Sequence, residues 1–147
     1  MNSESKYLIN RIDYTELNAR QKEGFNFHKI AAKLADFGFN SMWLTDDWRG
    51  ADFISVHKDG NLMLKVQLKG RFTVHSKYLD KEIYITFSDQ NVMWYLYPHD
   101  KFHRLVMKHS DGANKHGARS IGYIPKWLLP HLETYCLTDN KKELHLL

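Results

Sequence analysis

Residues 62–69 carry an aliphatic side chain at every even position and, from Lys65 onward, a polar one at every odd position. The even positions are leucine or valine, whereas the odd positions are Met63, Lys65, Gln67 and Lys69. Because successive side chains of a β-strand point to opposite faces, this pattern predicts a strand with one apolar and one polar face. The side chains of Gln67 and Lys69 are therefore predicted to point the same way.

A two-residue turn, Asp59-Gly60, lies just before this strand. The pair is typical of tight β-hairpins, because glycine accepts the backbone angles that such turns require. Residues 51–56, ahead of the turn, are rich in aliphatic and aromatic side chains and are predicted to form the antiparallel partner strand. Asp52 lies near the start of that strand, so the hairpin is expected to bring its carboxylate close to the polar face of the neighbouring strand.

A long helix is predicted ahead of these strands, from Asp13 to about Phe37. Asp13 followed by Glu16 has the spacing of a capping box, with Asp13 as the cap. Gly38 is predicted to end the helix, and an interruption at Gly24 remains open.

One face of this helix is apolar. Phe27, Ile30, Ala31 and Leu34 follow the i, i+3, i+4, i+7 spacing of a core-facing stripe. Glu23 lies one turn earlier on the same stripe. A carboxylate is unusual at a core-facing position and therefore needs an explanation. A role as a metal ligand and an ordinary place on the helix surface both remain open for Glu23.

The remaining segments complete a mixed pattern of helices and strands. Further strands are predicted at residues 41–45, 82–87, 92–97 and 121–124, a helix at residues 100–108, a polar loop at residues 110–120 and a short helix opened by Pro125. The sequence contains no internal repeat and no low-complexity linker. This order predicts a layered α/β or α+β domain.

Length and composition bear on the number of domains, the binding partners and the cellular location. A chain of 147 residues is predicted to form one domain, spanning residues 1–147. Its 21 basic and 17 acidic residues leave a net charge of +4, which suits a polyanionic partner but is common among soluble proteins. The single cysteine, Cys136, excludes an intrachain disulfide, and the polar N-terminus shows no signal peptide or membrane span. We therefore expect a cytoplasmic protein with no membrane partner.

Asp52, Gln67 and Lys69 together suit metal-dependent phosphodiester hydrolysis. A hard cation such as Mg²⁺ takes oxygen ligands, and a positive charge near the phosphate or the attacking water assists the reaction. Asp52 offers a carboxylate oxygen, Gln67 a carbonyl oxygen and Lys69 the charge. Because one carboxylate and one amide bind metal weakly, Glu23 is the candidate second carboxylate. Alternatively, the polar strand face is simply solvated, or Asp52 caps a turn after Gly50.

The residues of this region also carry a family resemblance. A long helix is followed by Gly50-Ala51-Asp52, a hairpin and Val66-Gln67-Leu68-Lys69-Gly70-Arg71. This arrangement resembles the core of the PD-(D/E)XK nucleases, the restriction-endonuclease-like fold of many restriction enzymes, Holliday-junction resolvases and some homing endonucleases. The resemblance covers residues 23–87. It maps the motif's Asp, its Asp or Glu, and its Lys onto Asp52, Gln67 and Lys69, with Glu23 as the helix carboxylate.

Two positions depart from the family motif, with Ala51 in place of Pro and Gln67 in place of Asp or Glu. Variants with glutamine are known in the family. The resemblance implies a restriction-endonuclease-like single domain, with an N-terminal helix and then a central mixed β-sheet flanked by helices. It further implies a Mg²⁺- or Mn²⁺-dependent DNA endonuclease that acts on duplex or branched DNA as a homodimer.

Basic residues beyond the motif are candidate contacts with DNA. Arg71 and Lys77 follow the motif strand, and Lys115 and Arg119 lie in the later polar loop, whose glycines would let it reach into a groove. Ordinary surface charge explains these residues equally well. Further candidates near the substrate or the site are Lys81, Asn114, His116, His75 and Trp48.

Two other functions remain open. A catalytically inactive nucleic-acid-binding module of the same fold, such as a subunit of a defence or mobile-element system, is favoured by Gln67. A single-strand binder would use Trp94 and Tyr95 as a stacking platform. Exposure of those rings to solvent distinguishes this third function from core packing.

Overall fold

The computed structural model describes residues 8–90, 92–109 and 117–146. Its helices are α1 (Ala19–Ala35), α2 (His99–His109) and α3 (Leu129–Glu133). Its strands are β1 (Phe39–Trp48), β2 (Ala51–His57), β3 (Met63–Leu68), β4 (Phe72–Val74), β5 (Ile83–Asp89), β6 (Met93–Pro98), β7 (Arg119–Ile121) and β8 (Cys136–Leu137). Single turns of 3-10 helix also occur at Tyr14–Glu16 and Ser76–Tyr78.

A six-stranded sheet with the order β1-β2-β3-β5-β6-β8 forms the centre of the molecule. Strands β3 and β5 are parallel, whereas the other neighbours are antiparallel, so the sheet is mixed. Strands β4 and β7 form a separate antiparallel pair. An N-terminal helix followed by a central mixed sheet with helices packed on it confirms the predicted α/β class.

Two buried clusters hold the layers together. In one of them, Ile30 and Leu34 of α1 pack with Leu64 and Val66 of β3, so the predicted apolar stripe meets the predicted apolar strand face. The other cluster is built around Tyr97 and joins the sheet to α2 and α3. Each large aliphatic side chain buried in this way contributes about 1.5–3 kcal/mol.

The N-terminal helix begins later than predicted. Asp13 and Glu16 do form a capping box, but it caps a single 3-10 turn. Asn18 then caps α1 through a second capping box with Gln21. Two complete caps in succession divide the segment, because each satisfies the free N–H groups of its own first turn. Gly24 lies within α1 and does not interrupt it.

Other element boundaries also differ from the predictions. Strand β1 is longer than the predicted residues 41–45, and the short strands β4 and β8 were missed because three and two residues carry too little pattern. The helix predicted to open at Pro125 begins at Leu129 instead. The Pro125 carbonyl accepts hydrogen bonds from the N–H groups of Leu128 and Leu129, so the proline precedes a turn that leads into the helix. No helix within the described residues is long and apolar enough to cross a membrane.

Candidate active site

The β2–β3 hairpin brings Asp52 and Gln67 together. Its register pairs Phe53 with Val66 and Ile54 with Lys65, and the same register sets Asp52 opposite Gln67. The Gln67 Nε2 donates a hydrogen bond to Asp52 Oδ2 at 2.8 Å. The predicted hairpin is therefore present, and it brings Asp52 and Gln67 close together as predicted.

A second donor holds the same carboxylate. The backbone N–H of Leu68 donates to Asp52 Oδ2 at 2.9 Å. Two donors on one oxygen fix the orientation of the Asp52 side chain. Its other oxygen, Oδ1, takes part in neither of these hydrogen bonds. The carboxylate is anchored in the way a metal-binding or catalytic group requires.

Burial raises the pKa of Asp52 above its ordinary value of 3.8. The hydrogen bond from the Leu68 N–H opposes this effect, and the positive charge of Lys69 lowers the pKa further. The negative charges of Glu23 and Asp47 raise it. Asp52 is thus a partly desolvated carboxylate flanked by two other carboxylates, an environment that a bound cation would relieve.

Lys69 leaves the end of β3 beside this carboxylate. Its backbone N–H donates to the Thr86 carbonyl on β5 at 2.9 Å, which continues the parallel pairing of the two strands by one residue. Its Nζ lies 5.4 Å from the centroid of the Tyr78 ring, within the range of a cation–π contact. Since Tyr78 is only 4% exposed, the ring is a fixed support for the ammonium group.

Gly50 makes room for that ring. It adopts a φ of 84°, in the left-handed region that favours glycine. A Cβ at this position would lie 3.1 Å from Tyr78 Cδ1, closer than ordinary packing allows. The β1–β2 turn therefore approaches Tyr78 only because residue 50 has no side chain.

A cavity of about 460 Å³ joins these groups. Of the predicted site residues, it is lined by Glu23, Asp52, Gln67, Lys69, Lys77 and Lys81. The residues that the sequence predictions did not assign to the site are Trp43, Leu44, Thr45, Asp46, Asp47, Gly50, Ala51 and Tyr78. The structure thus places carboxylates, an amide and lysines around one open space.

Glu23 reaches this space from α1. One turn further along the helix, the Phe27 ring packs edge-on against Trp43 at 5.2 Å and against Phe53 at 5.1 Å. These contacts fix α1 over the β1–β2 hairpin. Glu23 itself is exposed, so it lies at the rim of the cavity and not in the core that its stripe position suggested.

Asp47 is the main residue that the sequence predictions missed. They ended the strand at residue 45, whereas β1 extends through Asp46 and Asp47 to Trp48. Asp47 Oδ1 accepts a hydrogen bond from the Gly50 N–H at 2.7 Å, so the side chain closes the β1–β2 turn. The Asp-rich sequence ahead of a glycine turn was the available signal. Trp48, which was expected to border the site, does not line the cavity.

The donor set suits a hard cation that keeps part of its water shell. Asp52 and Gln67 provide oxygen atoms on one wall, and Glu23 and Asp47 carry carboxylates around the same space. Within the described ranges, no three His, Cys, Asp or Glu side chains stand in ligating positions together. Mg²⁺ commonly binds through one or two carboxylates and several waters, so these residues fit such an ion.

The other predicted contacts lie elsewhere. Arg71 lines a neighbouring cavity, and Arg119 is exposed on β7. His75 caps the 3-10 turn after β4 by accepting a hydrogen bond from the Lys77 N–H at 3.0 Å, and it does not line the site cavity. Lys115, with Asn114 and His116, lies outside the described residues.

The proposed stacking platform is absent from the described surface. Trp94 is 2% exposed and Tyr95 is 4% exposed, and both pack in the core. A buried ring has no free face for a base. The hypothesis of a single-strand binder that uses these two rings is therefore wrong.

No protein-family model matches the chain, and no curated protein matches it. One similar solved structure is that of Archaeoglobus fulgidus Hjc, a Holliday junction resolvase from an archaeal hyperthermophile. The match has 12% sequence identity and a TM-score of 0.43, and it covers 54% of this chain and 74% of that chain. A likeness at this level does not assign the chain to a family. The fold itself, a mixed sheet that follows an N-terminal helix, is the α/β arrangement that the sequence predicted.

Proposed function

We propose that this protein is a Mg²⁺- or Mn²⁺-dependent endonuclease that hydrolyses phosphodiester bonds of DNA. The observation that supports the proposal is the convergence of Asp52, Gln67 and Lys69 on the wall of one cavity. Glu23 and Asp47 bring further carboxylates to the same cavity. Carboxylate and amide oxygens beside a lysine match the chemical needs of metal-assisted phosphoryl transfer.

The chain's own residues take distinct roles in this proposal. Asp52 and Gln67, with Glu23, would hold the metal, which would supply a Lewis acid for the phosphate and for the attacking water. The Lys69 ammonium, steadied over Tyr78, lies beside the reacting phosphate and stabilises the charge that develops on its oxygens.

The rim of the cavity suits the backbone of the substrate. Lys77 and Lys81 line the cavity and are exposed, so they can contact phosphates on either side of the scissile bond. A single site cuts one strand, and we propose that two copies of the chain act together to cut both.

Cleavage assays test the proposed site. Supercoiled plasmid and branched DNA are incubated with a concentration series of Mg²⁺ or Mn²⁺ and with the variants Asp52→Asn and Lys69→Met. Both substitutions keep side-chain size and remove the charge, so we expect nicking to fall by about 100-fold or more. Matched controls are Lys65→Met, on the same strand, and Asp139→Asn, 88% exposed and paired with Lys33.

The results of these assays show whether cleavage takes place in this cavity. Equal nicking by the wild type and both site variants would show that the cavity is not the site of cleavage. Loss of nicking in the Lys65 or Asp139 control would show that the overall charge of the protein, and not this cavity, governs the activity.

A catalytically inactive DNA-binding module is the second candidate. It is favoured by the hydrogen bond from Gln67 Nε2 to Asp52 Oδ2, because an amide here gives Asp52 a partner without metal. This candidate predicts DNA binding in the presence of EDTA that Asp52→Asn leaves unchanged. It also predicts no cleavage of plasmid, branched or single-stranded DNA with either metal.

A further inference from the structure

A second recess adjoins the candidate active site on the far side of Lys69. A cavity of about 180 Å³ is lined by Tyr14, Asn26, Lys69, Gly70, Ser88 and Gln90. It shares Gly70, Ser88 and Gln90 with a further cavity of about 300 Å³ that includes Arg71, Asp89 and Tyr123. We call these two adjoining cavities the side groove. Because Lys69 lines both the site cavity and the side groove, the two lie next to each other on either side of this residue.

The walls of the side groove contain polar atoms without a partner. Asn26 Oδ1 and Ser88 Oγ are buried and make no hydrogen bond with any of the described residues. Asn26 Nδ2 donates to the Tyr14 hydroxyl at 2.9 Å, which holds the amide in place. Native proteins leave few buried polar atoms unpaired, so two of them in the wall of one recess mark that wall as unusually polar.

A cation and an exposed ring flank the outer end of the side groove. A Cβ on Gly122 would lie 3.8 Å from Arg71 Nη1, so the guanidinium lies against the residue that precedes Tyr123. The Tyr123 side chain is 84% exposed. Arg71 forms no ion pair with the carboxylates of the described chain. Asp89 brings one negative charge to the same wall and can accept from a base amino group.

We propose that the side groove binds an unpaired stretch of DNA adjoining the scissile phosphate, so that the preferred substrates are forked or flapped duplexes. This inference rests on the proposed function, because it places the scissile phosphate at Lys69. Lys69 and Arg71 are two residues apart and span at most about 7 Å along the chain. They can therefore contact nearby phosphates of one strand.

Unpaired DNA suits the side groove better than duplex does. Cavities of about 180 and 300 Å³ can each take a single base or nucleotide, whereas a base pair keeps its partner and its stacking neighbours. Asn26 and Ser88 line the recess, so a base turned out of the stack would meet a polar wall there. An exposed tyrosine stacks on a base of any sequence, as in proteins that bind single strands.

Binding measurements test the side groove independently of cleavage. Fluorescence anisotropy in EDTA compares a blunt duplex with the same duplex carrying an unpaired thymidine arm. We expect the wild type to bind the forked duplex more tightly, and Tyr123→Ala to weaken that binding by about 5- to 150-fold with little effect on the blunt duplex. Tyr123→Phe keeps the ring and should keep the preference. Arg71→Met should also weaken binding of the forked duplex, and Arg104→Met, which removes an exposed cation on α2, is its control.

The outcomes distinguish this inference from the proposed function. Equal affinity for forked and blunt duplexes, or a preference that survives Tyr123→Ala, would overturn the proposal that the side groove binds unpaired DNA, even if the protein nicks DNA. A preference lost in Tyr123→Ala and kept in Tyr123→Phe would support it, even if no metal produces cleavage. Because Tyr123 is exposed, its substitution should leave the melting temperature unchanged, which checks that the variants are folded.

Discussion

Replacing Gln67 by Glu places a second carboxylate directly beside Asp52 and removes a hydrogen bond that the metal-free protein uses. In the wild type, Gln67 Nε2 donates to Asp52 Oδ2 at 2.8 Å. A glutamate at this position cannot donate, and it places two carboxylates side by side. We therefore expect Gln67→Glu to destabilise the metal-free protein and to bind Mg²⁺ or Mn²⁺ more tightly.

The size of the expected destabilisation follows from the lost hydrogen bond. A hydrogen bond to a charged group contributes about 1.5–3 kcal/mol. A loss of about 2 kcal/mol lowers the melting temperature of a domain of this size by about 4–8 °C. A metal present at about 100 times its dissociation constant returns about 2.7 kcal/mol, enough to offset the loss.

Thermal unfolding in EDTA and in Mn²⁺ measures both effects. Two variants serve as controls. Gln67→Leu loses the same hydrogen bond but adds no ligand, so its melting temperature should fall in EDTA and should not recover in Mn²⁺. Asn40→Asp adds a negative charge to an exposed position of β1 and should change neither measurement. If Mn²⁺ stabilises Gln67→Glu no more than it stabilises the wild type, Gln67 does not face a metal site.

Three further predictions concern the same region. Because the native pKa of Asp52 is raised, the stability that this group contributes is present below pH 3.8 and is lost as the pH rises through the native pKa. In urea unfolding with EDTA, the wild type should therefore lose stability relative to Asp52→Asn between acid and neutral pH, and the opposite trend would refute the assigned cause. Tyr97→Phe removes the hydroxyl that bonds the Thr73 N–H and carbonyl at 3.1 and 2.8 Å, and calorimetry should show a loss of about 2 kcal/mol. Gly50→Ala should cost more than about 1 kcal/mol and reduce nicking by displacing Tyr78, and unchanged melting and nicking would contradict the role of this turn.

The hairpin was predictable because its signals are local. The alternation of apolar and polar residues from Leu64 to Lys69 and the Asp59-Gly60 turn fix both the register of the strands and the face on which each side chain lies, and the register sets Asp52 opposite Gln67. The apolar stripe of α1 was predictable for the same reason. Ile30 and Leu34 repeat at helical spacing and are fully buried.

The missed features depend on contacts between distant parts of the chain. Asp47 enters the site because β1 continues past the predicted end, which its pairing with β2 stabilises. Tyr78 lies beneath Lys69 only because Gly50 admits its ring, a contact across 28 residues of sequence. The roles of Asp52, Gln67, Lys69 and Glu23 stay predictions, as do the single domain and the homodimer.

Single-turnover cleavage measured beside Mn²⁺ binding tests the central claim most directly. The claim assigns metal binding to Asp52 and stabilisation of the reacting phosphate to Lys69. We predict that Lys69→Met binds Mn²⁺ as the wild type does but cleaves about 100-fold or more slowly, whereas Asp52→Asn loses both properties. Undiminished Mn²⁺ binding and cleavage by Asp52→Asn would contradict the account.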